Sequence, residues 1–160
     1  MRVIWLVLVI LALIFTMLSC ADTKMKLQEA QAGLDEAIAQ LSGLDDFDTV
    51  TVISGTSSST SDGKTCYYAQ AGLAIGTSLS AQSALETYVS ELQVQGWVIK
   101  QNDFERSMVL TRGEHERISV SLNGPSWMIE ADEGYQRAKD IYPTFIFATI
   151  TFILPSREGC

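Results

Sequence analysis

The segment from Gly76 to Trp97 constrains the fold of this chain most, because it predicts one helix with both ends marked. The helix covers residues 81–95. Ser80 takes the N-cap position, where a hydroxyl can accept a hydrogen bond from the first turn. Gly96 suits the left-handed backbone that closes many helices, and Trp97 can then fold back onto the last turn. Apolar residues recur at helical spacing, which indicates one buried side. They are Leu85, Tyr88, Val89 and Leu92.

Segments with strand character lie on both sides of this helix. The predicted strands are 49–53, 65–77, 97–100, 107–111, 117–122 and 144–154. Residues 54–63 contain only Ser, Thr, Gly and Asp, and they are predicted to form a flexible loop at the tip of a hairpin. The mixture of patterns predicts the α+β class. We expect a single antiparallel β-sheet packed by one main helix (81–95) and preceded by an N-terminal amphipathic helix.

The predicted strand 144–154 is rich in β-branched and aromatic residues and stops at Pro155, so we expect an interior strand of the sheet. Its alternate residues form two sets, one for each face of the sheet. The wholly apolar set should face the helix 81–95, and it consists of Ile146, Ala148, Ile150, Phe152 and Leu154. The other set begins with Phe145 and Phe147, and this aromatic end should be covered by the N-terminal helix or by residues 124–143.

A second amphipathic helix is predicted over residues 22–42. Its narrow apolar stripe consists of Leu27, Ala30, Leu34, Ile38 and Leu41. Gly33 weakens the middle of this helix, and Gly43 can end it. Two interpretations stay open, a spacer that lies against the domain, which we favour, and a stalk or partner helix. The predicted organisation is a signal peptide or membrane anchor (1–19), an amphipathic helical linker (20–43) and a single α+β domain (44–160).

The charge of the chain argues against nucleic acid as a partner. The formal net charge is −8, and all nineteen acidic residues lie at or beyond Asp22. A nucleic-acid-binding domain needs a basic surface instead. Three cysteines and one histidine show no spacing typical of a metal site, so no metal or cofactor is predicted.

The first twenty residues indicate the compartment. Arg2 precedes an apolar run, 3–18, and small residues follow it, which describes a secretory signal. The end of the run resembles the lipobox of bacterial lipoproteins, whose usual form is Leu-(Ala/Ser)-(Gly/Ala)-Cys. Ser19 and Cys20 match it, whereas Met17 and Leu18 depart from it. The resemblance implies that Cys20 becomes the first residue of the mature protein and carries the lipid.

Two other interpretations of the N-terminus stay open. Residues 3–18 with their flanks approach the ~20 residues that span a bilayer, so the run could be an uncleaved anchor. The other interpretation is ordinary signal-peptide cleavage near Ala21. With a lipid or an anchor, the remaining chain is tethered on the extracytoplasmic side of the cell membrane.

No motif of the sequence predicts catalysis. His115 lies between two glutamates in a segment that we expect to be an exposed turn, without a partner for general-base chemistry. The sequence has no nucleophile elbow, P-loop or dinucleotide fingerprint. Two acidic stretches could offer oxygens to calcium, but we expect solvated loops, because neither has the pattern of an EF-hand. They contain Asp45, Asp46 and Asp48, and Glu130, Asp132 and Glu133.

Cys66 and Cys160 form a possible disulfide if the domain lies in an oxidising compartment. Such a bond would tie the C-terminal tail to the second strand. The unpaired alternative stays open, because Cys160 ends the chain.

Residues 65–155, with Gly96-Trp97 at the helix end, resemble the small α+β domains of bacterial envelope lipoproteins of unassigned function. The resemblance implies a fold, not an activity. We expect a non-catalytic, membrane-tethered extracytoplasmic protein that acts through protein contacts or as a structural component of the envelope. The alternative is a lipoprotein that binds a small ligand on the uncovered sheet face, and a hydrolase is a less favoured third.

Overall fold

The computed structural model describes residues 2–61, 64–103, 107–126 and 132–154, with side chains from Ala21 onward except at positions 61 and 103. Three helices and six strands alternate along these ranges. In chain order they are α1 (Arg2–Leu41), β1 (Asp48–Ser61), β2 (Lys64–Thr77), α2 (Ala81–Val94), β3 (Val98–Asp103), β4 (Ser107–Arg112), β5 (Glu116–Ser121), α3 (Glu133–Ala138) and β6 (Thr144–Ile153).

The six strands form one antiparallel sheet in the order β1-β2-β6-β5-β4-β3. The α+β class is therefore confirmed. The last strand of the chain lies inside the sheet, paired with β2 on one side and β5 on the other. This confirms the prediction of an interior strand, and it leaves β1 and β3 as the two edges.

One face of the sheet, here the helix-covered face, carries α1 and α2 and holds the core. The apolar set of β6 points to it, with Ile146 and Ile150 fully buried. Phe152 of the same set packs under α1 instead of α2. A Cβ atom at Gly33 would lie only 2.4 Å from the Phe152 ring, so α1 approaches β6 closely at this point. Both predicted helices thus cover the sheet.

Helix α2 follows its sequence signals at the C-terminal end. Gly96 has a φ of 89°, the Gly96 N–H donates to the Gln93 carbonyl at 3.0 Å, and the Trp97 N–H donates to the Leu92 carbonyl at 3.0 Å. These bonds form a Schellman motif. Ser80 does take the N-cap position, but its hydroxyl donates to the Ser83 hydroxyl and makes no capping bond. The predicted N-cap position is therefore confirmed, but the predicted hydrogen bond to the Ser80 hydroxyl is wrong.

The opposite face, here the open face, carries α3 at one end, where Gly124 packs against Phe147 and Tyr142 packs against Gly76 as well. Tyr135 of α3 contacts Phe145 and Phe147, with ring centroids 4.8 and 5.7 Å apart. Asp132 fixes α3 in place, because its Oδ1 accepts from the Tyr135 N–H at 2.7 Å and from the Thr51 hydroxyl at 2.5 Å. The predicted cover of the aromatic end by residues 124–143 is confirmed.

The flexible loop predicted at 54–63 is wrong for residues 54–61. They continue β1, which pairs with β2 in an unbroken register from Thr51 to Ser61, opposite Ala74 to Lys64. An edge strand with one paired neighbour needs no apolar side chains, since backbone hydrogen bonds hold it. The sequence carries a signal for this hairpin, because Asp62-Gly63 between the paired Ser61 and Lys64 is a dipeptide that two-residue turns favour.

Candidate functional site

The residues singled out for catalysis do not come together in the described parts of the chain. His115 lies in the turn between β4 and β5, where its carbonyl oxygen accepts from the Ile153 N–H at 2.7 Å. Within the described ranges, no hydrogen bond joins its imidazole to a serine or a carboxylate. Tyr88 is fully buried, and burial raises the pKa of its hydroxyl, which stays neutral.

Two of the acidic residues weighed as calcium ligands, Asp48 and Asp132, have structural partners. Asp48 accepts from the Tyr142 hydroxyl at 2.5 Å, and Asp132 caps α3. The Thr51 hydrogen bond, with help from the Tyr135 N–H, lowers the pKa of Asp132. Among the described residues, no group of three or more His, Cys, Asp or Glu side chains could hold a metal ion. Glu130 lies outside the described residues.

Of the three cysteines, only Cys66 has a described side chain. It lies on β2 opposite Ser59, and strand alternation turns it toward the open face, because Tyr67 beside it is buried on the other face. Cys66 is disulfide-bonded. The side chain of Cys20 and all of Cys160 lie outside the described residues, so lipidation of Cys20 and the Cys66–Cys160 pairing stay predictions.

The open face has a groove beyond α3, between β1, β2 and β6. Its volume is about 380 Å³, and Ile53, Gln70, Gly72 and Thr149 line it together with neighbouring residues of β1. The Gln70 amide donates to the Thr151 hydroxyl beside it at 3.2 Å. Trp97 is buried in the core and Phe147 is covered by Tyr135, so neither of these side chains lines the groove. The described lining mixes hydroxyl and amide side chains with glycine and alanine, and Ile53 is its one large apolar side chain.

A cluster around Arg112 fastens the C-terminal end of α1 to the sheet. The guanidinium binds Glu116 through two nitrogens, at 2.5 and 2.7 Å, and donates to the Gln40 side chain. It also lies 5.0 Å from the centroid of the Trp97 ring. The hydrogen bond to Glu116 is the main cause that raises the pKa of Arg112. We assign this cluster a structural role, because the guanidinium nitrogens of Arg112 already donate to Glu116 and Gln40.

Three contacts give the direction in which α1 crosses the sheet. The Lys26 ammonium lies 5.3 Å from the centroid of the Tyr67 ring on β2. Gly33 lies against Phe152 on β6, and Gln40 bonds Arg112 on β4. Residues earlier than Lys26 therefore lead toward β1 and past it. A helix rises about 1.5 Å per residue and strands lie about 4.8 Å apart, so α1 passes the β1 edge within roughly one to two turns of Lys26.

The β1 edge combines length, exposure and low charge. It has fourteen residues, with no charged residue from Thr49 to Ser61. Among the described residues, β1 pairs only with β2, so its outward backbone groups face away from the sheet. Val52 and Ile53 remain 47 and 41% exposed, one on each face. This surface was not predicted from the sequence, because the serine- and threonine-rich residues of the strand favour a loop.

Within the part of the chain whose side chains are described, no helix is long and apolar enough to cross a membrane. Comparison with family models, with curated proteins and with solved structures finds no match.

Proposed function

We propose that this chain is a non-catalytic protein of the cell envelope, tethered to the membrane through its N-terminus, with its α+β domain on the extracytoplasmic side. The observation that carries the proposal is the continuity of α1. The helix runs without a break from Arg2 to Leu41, and its C-terminal half belongs to the core of the domain. Ala30, Leu34 and Ala37 are at most 1% exposed. A packed helix thus joins the apolar run to the domain, so the position of the run also sets the position of the domain.

The surface of the domain favours action through protein contacts or as a structural component of the envelope. The long edge strand and the exposed groove are features of a binding surface. The net charge of −8 keeps such a domain soluble beside the membrane.

Mass spectrometry of the protein extracted from membranes tests the tether. We expect a lipid-modified Cys20 as the new N-terminus, and the Cys20→Ala variant should lose this modification. An intact Met1 in the membrane fraction would favour an uncleaved anchor and leave the tether in place. A mature protein that begins near Ala21 and washes off the membrane would overturn the proposal.

A second candidate function follows from the groove on the open face. Its amide and hydroxyl groups suit a polyhydroxylated ligand, such as a sugar, which exchanges hydrogen bonds with water for similar ones to protein. Titration with N-acetylglucosamine, followed by the amide NMR signals of Gln70 and Thr149, tests this function. Shifts confined to the groove and lost in Gln70→Ala would favour it over action through protein contacts. Uniformly small shifts would dismiss it.

A further inference from the structure

We propose that the β1 side of the domain rests against the anionic headgroup surface of the membrane that holds the tether. The β1 side is defined here as strand β1, residues 21–26 of α1 and Lys64. This inference rests on the proposed tether, and it adds an orientation and a binding surface to it. The occupant of the edge is then a lipid surface, not a strand of another protein.

The path of α1 supplies the geometric argument. The helix leaves the domain over β1, and no other strand lies between that edge and the N-terminal run. A lipid on Cys20 or an uncleaved anchor leads to the same result, because both lie beyond the β1 edge on the same helix. The tether holds this edge close to the bilayer at a high effective concentration, so even weak contacts become populated.

The distribution of charge gives the second argument. Residues 21–26, strand β1 and Lys64 together carry three lysines and two acidic residues, so the β1 side has a charge of +1 and the remaining −9 lies elsewhere in the chain. The lysines are Lys24, Lys26 and Lys64, and Asp22 is already paired with Lys26 at 3.2 Å. Other sides of the domain would be repelled by anionic lipids. Charges farther than a Debye length, about 10 Å at 0.1 M salt, contribute little to this repulsion.

The polar and apolar groups of the β1 side also fit the interface of a bilayer. Met25 is 60% and Val52 is 47% exposed. Around them lie serine and threonine hydroxyls and the outward backbone groups of β1. Headgroup phosphates and interfacial water can form hydrogen bonds with these hydroxyls and backbone groups. Without such partners, the strand would be an unprotected edge of the sheet. The membrane would thereby shield the edge against pairing with another chain.

Photocrosslinking in vesicles tests this orientation. The full chain carries p-benzoylphenylalanine at Ser57 on β1, or at Gln101 on β3 as the matched control. Both positions are exposed and lie on the open face, at opposite edges of the sheet. The protein is reconstituted into phosphatidylcholine vesicles with and without phosphatidylglycerol, irradiated, and digested for mass spectrometry. We expect lipid adducts at Ser57 and few or none at Gln101.

Charge variants separate electrostatic docking from mere proximity. Lys24→Gln should lower the Ser57 adduct by up to about fivefold in phosphatidylglycerol vesicles, because each basic residue near an anionic surface strengthens binding by about that factor. Lys100→Gln, on the opposite edge strand β3, is the control and should leave the adduct unchanged. Equal adducts at Ser57 and Gln101 would overturn the inference while the tether stands. A protein adduct at Ser57 would identify the edge as a strand acceptor instead. A chain that does not float with the vesicles would overturn the tether and the inference together.

Discussion

Gly96 carries the strongest local signal of the chain. Its φ of 89° lies in the region that L-residues rarely adopt, and no atom lies within 4 Å of the position of an added Cβ. Backbone strain, not crowding, therefore decides the effect of a substitution. We expect Gly96→Ala to lower the free energy of unfolding by about 1 kcal/mol.

Gly43 provides the matched control, since an added Cβ there also meets nothing within 4 Å and its φ is not in the left-handed region. Gly43→Ala should leave stability unchanged or raise it slightly. Urea unfolding of the two variants measures the difference. Equal midpoints would show that the glycine at the end of α2 is not required by its conformation.

Asp132 predicts a pH dependence of stability. Its hydrogen bonds to Thr51 and Tyr135 lower its pKa in the folded state. A carboxyl whose pKa is lower in the folded than in the unfolded chain stabilises the fold above its unfolded pKa, and this contribution is lost as the pH falls through the folded pKa. Asp132→Ala should cost about 1 kcal/mol at neutral pH, as for other N-caps.

The same variant should therefore lose less stability than wild type as the pH falls from neutral to below the ordinary aspartate pKa of about 3.9. Asp140→Ala, an exposed acid beyond the end of α3, is the control. Thermal melts across this range measure both. A wild-type slope that Asp132→Ala leaves unchanged would show that the capping contact is not populated in solution.

At the scale of elements, the crossing of α1 over β6 explains Gly33. From sequence alone this glycine only weakens a helix, because alanine favours helices by roughly 1 kcal/mol. The structure gives it a role, since a Cβ would meet the Phe152 ring at 2.4 Å. We expect Gly33→Ala to lower the free energy of unfolding by about 1–3 kcal/mol through overpacking, against its helix propensity.

Phe152→Ala should itself cost about 3 kcal/mol, at the lower end for a phenylalanine, because this side chain is only partly buried. The double variant then tests the contact. In the Phe152→Ala background, Gly33→Ala should become neutral or stabilising, since the ring that crowds the new methyl is gone. Additive losses in chemical denaturation would mean that α1 does not cross β6 at this point.

These elements also show how far sequence reasoning reaches. The end of α2 and the alternation of β6 depend on neighbours close in the chain, and both were predicted. The continuation of β1 depends on its register with β2, and the close approach at Gly33 depends on β6 far along the chain. Serine and threonine side chains alone could not distinguish a loop from an edge strand. The β1 side could be recognised only from the order of the strands, which places β1 at an edge of the sheet, and from the path of α1 across that edge.

At the scale of the whole molecule, Cys66 is disulfide-bonded, and the sequence offers Cys20 and Cys160 as its partner. Cys66 faces the open side of the sheet, while α1, which contains Cys20, packs on the helix-covered face. Disulfides need Cα atoms within about 7 Å, whereas the six residues from Lys26, which lies over Tyr67, to Cys20 carry α1 about 9 Å further along its axis toward β1. The Leu154 N–H instead donates to the Tyr67 carbonyl at 3.0 Å, which brings the start of the C-terminal tail beside Cys66.

We therefore predict a Cys66–Cys160 bond that leaves Cys20 for the lipid. Cys160→Ser should lower the free energy of unfolding by about 2–4 kcal/mol under oxidising conditions, because the bond closes a long loop of the unfolded chain. A reductant should abolish the difference between this variant and wild type. Cys20→Ser should leave the disulfide and the stability of the domain unchanged, which non-reducing peptide mapping checks. If Cys20→Ser frees the Cys66 thiol instead, α1 is fastened to β2 by a disulfide, and Cys20 is not the site of the lipid.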